Sequence, residues 1–276
     1  MAKLVRDTRG RILTDSLGRN LSSEPPHKFN IEVVKAVSKS VKNPSYSTLL
    51  HLDNLISALK SEGIWQKLDT FINCAYNTTN TTVFSLYDFI RDINYTSYGG
   101  LDYVVYGFKG NSVDGYLDTN YNPALQGVNY TLNNAGRGFI MIQGDWPGQN
   151  ITEAVDGNTA RNRTSMNIGG SSVQRINSEP GSSSTVVDLS GDGLKTINRY
   201  NSNDIMLTNK NVETSFIQPS STVWSENQVV LKTQTLYSSN TLLCYFMGSS
   251  LTYEETQLFR QYYNEYLTNI GLEPIA

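Results

Sequence analysis

LDYVVYGFKGNSVDGYLDTNYNP, residues 101–123, holds two runs of strand-forming residues on either side of a glycine-bounded turn. DYVVYGFKG (102–110) is dense in valine and tyrosine, and VDGYLDT (113–119) mixes apolar residues with Asp and Thr. β-Branched and aromatic side chains pack well on a pleated surface, whereas Gly, Asn and Asp supply turn conformations. Asn122-Pro123 closes the unit. Outward from it the same pattern recurs. LDTFINCAY (68–76) and FSLYDFI (84–90) precede it; FIMIQG (139–144), STVVDLS (184–190), NDIMLT (203–208), QVVLKTQTLY (228–237) and LLCYFMG (242–248) follow. Gly99-Gly100, Pro147-Gly148, Gly169-Gly170, Pro180-Gly181 and Gly191-Asp192-Gly193 punctuate them. Many short strands at close intervals predict an all-β sandwich or barrel, and the missing strand–helix alternation argues against a doubly wound sheet.

Helices are expected at both ends of this region. Ser47 or Thr48 is placed to cap a helix through Leu49, Leu50, Leu52, Leu55, Ile56 and Leu59, which Gly63 ends. Residues 29–43 (FNIEVVKAVSKSVKN) read two ways: the valine spacing fits a helical face, and the β-branched content favours a strand. Near the C-terminus, Thr252 and Glu255 form a capping-box pattern. It leads into an apolar stripe of Leu258, Phe259, Tyr262, Tyr263, Tyr266, Leu267 and Ile270, stopped by Gly271. That helix is expected to cover a face or an edge of the sandwich.

Composition agrees with a strand-and-turn protein. Hydrophobic residues are 38% and charged residues 17% of 276, with 17 Tyr against 9 Phe and 3 Trp. A net charge of −3 lacks the basic excess of a general nucleic-acid binder. No run approaches the roughly 20 apolar residues of a membrane span, and the charged start MAKLVRDTRGR lacks the apolar segment of a secretory signal, so synthesis in a cytoplasm is expected. Basic residues concentrate in 1–28, where Lys3, Arg6, Arg9, Arg11, Arg19 and Lys28 face Asp7, Asp15 and Glu24. There the pattern D-x-x-G-R-x-L occurs twice, at Asp7–Leu13 and Asp15–Leu21, before Pro25-Pro26. Two such units bury no core alone. The segment reads as an extended arm that orders against a partner, or as a tail. Cys74 and Cys244 lie in apolar runs without metal-ligand spacing, and are expected as buried free thiols, with a disulfide left open.

Four stretches occur in the order seen in a family of phage virion proteins with a concanavalin A-like, laminin G-like sandwich. They are LLHLDNLISALKSEGIWQKLDTFINCA (49–75), YGFKGNSVDGYLDTNYNP (106–123), VNYTLNNAGRGFIMI (128–142) and FMGSSLTYEETQLFRQYYNEYLTNIG (246–271). The chain resembles that family over about 45–271, most specifically at 113–123 and 249–271, and departs from it at NTTNTTVFSLYDFIRDINYTS (77–97). The resemblance implies a jelly-roll sandwich, over 68–250 here, carrying the C-terminal helix (251–276). A helical or linker segment (29–67) precedes it, and the arm (1–28), which lies outside the match, resembles more loosely the virion-docking tails of head or tail fibre subunits. It further implies a structural virion protein, such as a head fibre, tail fibre or capsid decoration, made in the bacterial host's cytoplasm. Crass-like phages are among the sources it suggests. The arm would dock on capsid, portal or tail proteins, with Arg6, Arg11 and Arg19 as anchoring residues. A homo-dimer or homo-trimer is expected from exposed edges and the apolar stripe.

Chemistry is sparse. The chain has two histidines, His27 in the arm region and His51 on the first leucine-rich helix, so Ser-His-Asp, Cys-His and zinc arrangements lack their parts. Glycoside hydrolysis needs two carboxylates; Asp114, Asp118 and Asp188 are present, without an E-x-D-x-E cluster. No enzyme and no cofactor are expected. Asp188-Leu-Ser-Gly-Asp192-Gly fails as an EF-hand because Arg199 occupies the position of the bidentate Glu. It reads as a turn, or as a single calcium site of Asp188 and Asp192, which laminin G-like folds make relevant. The alternative function is a carbohydrate-binding adhesin module for host surface glycans. Its candidate contacts are Trp146 in the GDWPGQN loop, Tyr95, Tyr98 and Trp224, with Trp146 also a candidate subunit contact.

Overall fold

The computed structural model describes residues 27–39, 44–76, 86–142, 163–168, 171–178, 191–232 and 237–275. Residues 1–30 and 31–276 are separate units. In the first, the rings of His27 and Phe29 meet edge to face at 4.8 Å. The second begins with helices α1 (Ile31–Lys39) and α2 (Tyr46–Ser61) and strand β1 (Leu68–Asn73). Then come β2 (Tyr87–Asp88), β3 (Ile93–Asn94), β4 (Thr96–Tyr98), β5 (Asp102–Val104), β6 (Gly107–Lys109), β7 (Tyr116–Asp118) and the short helix α3 (Pro123–Gln126). Strands β8 (Ala135–Ile142), β9 (Arg163–Ile168), β10 (Ser171–Arg175), β11 (Gly193–Arg199), β12 (Asp204–Asn209), β13 (Val212–Ile217), β14 (Val229–Val230) and β15 (Thr241–Gly248) lead to helix α4 (Tyr253–Asn269).

The protein is mostly β, with antiparallel sheets in a sandwich-like arrangement plus helices at both ends. The large sheet runs β13-β12-β11-β8-β15-β1-β2-β3, with the β5–β6 hairpin added where β6 pairs the start of β15. A small sheet runs β14-β7-β4, and β9–β10 form a separate ribbon. The core lies between the large and small sheets. Ile72, Phe139, Met141, Ile197, Leu207, Tyr245 and Met247 enter it from one side, and Leu117, Val230 and Leu231 from the other.

On its far face the large sheet carries α4. The capping box predicted for α4 is formed: Thr252 Oγ1 accepts from Glu255 N at 3.2 Å, and Glu255 Oε2 accepts from Thr252 N at 2.9 Å. Phe259 packs on Phe246 at 4.4 Å and on Phe71 at 6.3 Å. The tyrosines of the stripe serve a second need, since β1 turns the buried Asn73 towards the helix. Tyr263 donates to Asn73 Oδ1 at 2.7 Å, Asn73 donates to the Tyr266 hydroxyl at 2.9 Å, and Tyr266 donates to the Ala75 carbonyl at 2.7 Å. A leucine or phenylalanine there would leave buried polar groups unpaired, each costing about 1–3 kcal/mol. Helix α2 packs against α4, burying Leu49, Leu52, Leu55, Ile56 and Leu59. His51 lies on α2 beside a cavity of about 50 Å³ that Tyr262 and Glu265 of α4 also line.

Several local expectations are corrected. DYVVYGFKG is not one strand but the hairpin β5–β6, because Gly107 takes φ +143° where an added Cβ would stand 2.0 Å from the Leu242 carbonyl oxygen. Of FSLYDFI, the described residues 86–90 hold two strand residues, Tyr87 and Asp88. The buried Asp88 carboxylate accepts from Ile90 N (2.9 Å) and Arg91 N (3.1 Å), which bends the chain into a turn. Ser45, not Ser47 or Thr48, caps α2 by accepting from Thr48 N at 3.2 Å. Residues 31–39 are helical, held by a Glu32–Lys60 ion pair at 2.7 Å and by Lys39 on Asp92. Gly191-Asp192-Gly193 is no mere separator: Gly193 opens β11, which is fully buried between β8 and β12. Both cysteines are buried free thiols, each raised well above the usual thiol range by desolvation.

Candidate functional site

The outer face of the small sheet exposes aromatic rings. In the register of β4 against β7, Tyr98 lies opposite Tyr116 and Thr96 opposite Asp118. Between them Leu117 points into the core. Side chains alternate across a strand, so burying Leu117 turns Tyr116 and Asp118 outward. The two tyrosine rings stack at 4.8 Å with an 11° interplanar angle. On the β14 side, the Lys232 ammonium lies over the Tyr116 ring at 4.1 Å and near Tyr237 at 5.5 Å, with Tyr237 tilted against Tyr116 at 6.2 Å. Across the sheet the order is Lys232 with Tyr237, then Tyr116, then Tyr98 on the edge strand. Both faces of Tyr116 are therefore occupied. Among the described residues Tyr98 stacks with one face only, and it is 43% exposed.

Backbone geometry aims this row. Leu231 takes φ +68°, a left-handed conformation that costs a non-glycine residue about 1–2 kcal/mol. Val230 and Leu231 consequently both point into the core, and Lys232 emerges over the tyrosines. Ser238 N donates to the Leu231 carbonyl at 2.9 Å, and Lys232 forms a bridge with Tyr237. Burial of Leu231 offsets the strain.

A polar rim adjoins Tyr98. Gly99, at φ +63°, lets the β4–β5 turn nest against the 111–115 loop; an added Cβ would stand 2.3 Å from the Asp114 carbonyl oxygen and 2.7 Å from its carboxyl carbon. Asn111 organises that loop, its Oδ1 accepting from the amides of Val113 (3.0 Å), Asp114 (3.0 Å) and Gly115 (2.9 Å). Asp114 Oδ1 accepts from Asn111 Nδ2 at 2.7 Å and from Gly100 N at 2.9 Å. These bonds hold its carboxyl below the usual aspartate range, the Asn111 bond contributing most. Its Oδ2 makes no hydrogen bond among the described residues and faces solvent. Next to the aromatic row, Asp118 accepts from Asn120 N at 2.7 Å, and Asn120 Nδ2 donates to Thr96 Oγ1 at 2.9 Å. Tyr116 is pushed up by partial burial, then by Tyr98, Asp118 and Tyr237, and keeps its phenol proton.

The predicted residues are dispersed. Arg6, Arg11, Arg19, Trp146 and Asp188 lie outside the described residues, and Asp192 is exposed just before β11. Tyr95 is buried with its hydroxyl 2.6 Å from Thr70 Oγ1, and Trp224 is buried, so neither offers a ring to a ligand. Tyr98 alone of the four aromatic candidates is on a described surface. Tyr116, Tyr237 and Lys232 were not singled out from sequence; they meet Tyr98 only through pairing of strands 18 to more than 100 residues apart. Asp114, held ionised, is suited to accept a hydrogen bond and ill suited to deliver a proton. Among the described residues no group of three or more His, Cys, Asp or Glu is placed to hold a metal ion, and no helix is long and apolar enough to cross a membrane.

No family model matches the chain, and no curated protein matches it in sequence. Solved structures do. The Trypanosoma rangeli sialidase in complex with sialic acid is similar over 77% of this chain and 39% of that one, with TM-score 0.50 and 12% identity. The likeness is one of fold. The binding domain of Botulinum neurotoxin DC matches with TM-score 0.46 and 16% identity in complex with SialylT, and with TM-score 0.48 and 14% identity in complex with rat synaptotagmin II. Each covers 70% of this chain and 52% of that one. The chain thus spans about two fifths of the sialidase and half of the toxin domain.

Proposed function

We propose that this chain is a carbohydrate-binding β-sandwich module whose ligand stacks on Tyr98, displayed as a structural component of a phage virion. The half-free ring of Tyr98, fixed by Tyr116 and bordered by Asp114, carries the reading. A pyranose presents an apolar C–H face that fits such a ring, and its hydroxyls suit the open carboxylate oxygen and the amide and hydroxyl groups beside it. Rings standing in a braced row lose little entropy when a ligand arrives. The fold shared with a sialidase solved with sialic acid is compatible with this reading. The test is binding to a panel of bacterial surface glycans by the chain and by Tyr98→Ala. Affinity for at least one glycan, lost in the variant while its melting temperature stays within a few degrees, is expected. Binding that Tyr98→Ala leaves unchanged would remove this site from consideration.

Placement in the virion rests on the resemblance at 113–123 and 249–271. The first of these stretches holds Asp114, Tyr116 and Asp118, and the second builds the cap of α4. The arm at 1–28 would dock on other virion proteins through Arg6, Arg11 and Arg19, after synthesis in the host cytoplasm. Co-purification with assembled particles is expected for the full chain and not for a version lacking residues 1–28. Association into a dimer or trimer is part of the same reading. Edge strand β13, where Val212 is 64% and Ile217 84% exposed, is the surface that supports it.

A further inference from the structure

We propose that Lys232 is a positioning residue for the Tyr98 site: its ammonium clamps Tyr116, and the clamped Tyr116 fixes the Tyr98 ring on which the sugar stacks. This deepens the carbohydrate-binding reading and rests on it.

Sheet order sets which ring braces which. Strand β7 lies between β14 and β4, so Tyr116 has the β14 side on one hand and Tyr98 on the other. Tyr98 stacks on Tyr116 at 4.8 Å, nearly parallel at 11°. Among the described residues this is the ring contact of Tyr98, which is otherwise exposed, so its orientation depends on that of Tyr116. Tyr116 is held from the opposite side. Lys232, two residues beyond β14, brings its ammonium to 4.1 Å from the centre of the Tyr116 ring, and Tyr237 leans on the same ring at 6.2 Å. Dependence therefore runs from Lys232 through Tyr116 to Tyr98.

The ammonium is placed by rings and backbone. Among the described residues no carboxylate forms an ion pair with it. A cation is drawn to the negative face of an aromatic ring within about 6 Å of its centre. Two rings meet that condition here, Tyr116 at 4.1 Å and Tyr237 at 5.5 Å. The left-handed Leu231, at φ +68°, and the bridge of Lys232 to Tyr237 fix the backbone from which the side chain starts.

Linkage sets the magnitude. A ligand that needs Tyr98 in its stacked position gains from whatever already favours that position, and by no more than that amount. An exposed lysine over an aromatic ring favours the contact by about two- to fivefold in an equilibrium constant. Lys232 should therefore raise affinity by about two- to fivefold. It does so without touching the ligand, because a sugar on the free face of Tyr98 has both tyrosine rings between itself and the ammonium.

The experiment is isothermal titration of the full chain, of the neutral variants Lys232→Met and Lys232→Gln, of Lys232→Arg and of Tyr98→Ala. The probes are tetrasaccharide fragments of β-glucan, α-glucan and chitin. NMR relaxation reports the order of the Tyr98 ring in each ligand-free protein. Expected is affinity about two- to fivefold weaker in both neutral variants, lost through a less favourable binding entropy. The Tyr98 ring should be less ordered in the same two variants, and Lys232→Arg, which keeps the cation, should restore both affinity and order. Melting temperatures should stay within a few degrees of the native chain. Neutral variants that bind as tightly as the native chain would overturn the inference and leave the site standing. So would weaker binding with the order of the Tyr98 ring unchanged, since Lys232 would then act on the ligand itself, or a loss that arginine does not restore. Affinity insensitive to Tyr98→Ala, or no binding to any probe, overturns the carbohydrate-binding reading and this inference with it.

Discussion

Replacing Asp69 by alanine should loosen the segment that joins α3 to β8 and cost the protein a large share of its stability. Asp69 lies at the irregular start of β1, where the register against β15 shifts between Leu68 and Thr70, and this turns its carboxylate towards residues 121–130. The two oxygens accept from the amides of Val128 (3.0 Å), Asn129 (2.9 Å) and Tyr130 (2.9 Å) and from the Tyr121 hydroxyl (2.9 Å). The phenol of Tyr121 is pushed far up, by burial first and then by Asp69, and so remains the donor. Alanine removes all four acceptances. The Val128 and Asn129 amides are near solvent and rehydrate; Tyr130 N and the Tyr121 hydroxyl are buried. Two buried donors left without a partner cost about 1–3 kcal/mol each, and the relief of no longer burying a carboxylate offsets part of this. A net loss of about 3 kcal/mol follows. With a urea slope of about 2–3 kcal/mol/M, the midpoint should fall by about 1–1.5 M. Amide exchange should accelerate at 128–130 before it does in β8. Asp69→Asn, which keeps two acceptor lone pairs, should fall between the two. A midpoint shift below about 0.3 M, or unchanged exchange at Tyr130, would refute the reasoning, since then the carboxylate is not what holds the segment.

Three further outcomes follow from single observations. Gly138→Ala should destabilise by about 1–3 kcal/mol, read by thermal melting, because the new Cβ would stand 2.1 Å from Cζ of Phe246, itself wedged on Phe259 at 4.4 Å. Cys74 and Cys244 should resist a thiol reagent in the native chain and react together on unfolding, since both are buried and held as neutral thiols; prompt labelling of either in native protein would contradict this. Glycan affinity should be flat from pH 8 to about 5 and fall only as pH drops through the pKa of Asp114. The sign follows from the depression of that pKa below 3.8 by Asn111 and Gly100: the accepting, ionised form is retained until acid reaches it, and Asp114→Asn should abolish that acid limb.

The strands with plain apolar patterns, β1, β8, β12 and β15, were legible in the chain itself, and so were α4 with its capping box and the glycine turn at 99–100. Each rests on local chemistry: period, cap or positive φ within a few residues. The polar strand β11 was not legible, because Lys195, Asn198 and Arg199 read as turn or surface until β8 and β12 enclose them. Arg199 is acceptable in that interior only because neutral oxygens gather round it from distant segments, the Ile176 carbonyl at 2.9 Å, the Gln218 carbonyl at 2.7 Å and Ser178 Oγ at 2.7 Å. Tyr98 was visible from sequence as one aromatic among many. That it keeps a free face while Tyr95 and Trp224 are buried, and that Tyr116, Tyr237, Lys232 and Asp114 gather beside it, is a matter of register. A strand's own sequence sets which residues alternate, but the partner strand decides which of them become neighbours, and those partners lie far away along the chain. The sequence by itself therefore determined the class of fold and its local caps and turns, and only the tertiary structure decided which tyrosine faces solvent and what stands next to it.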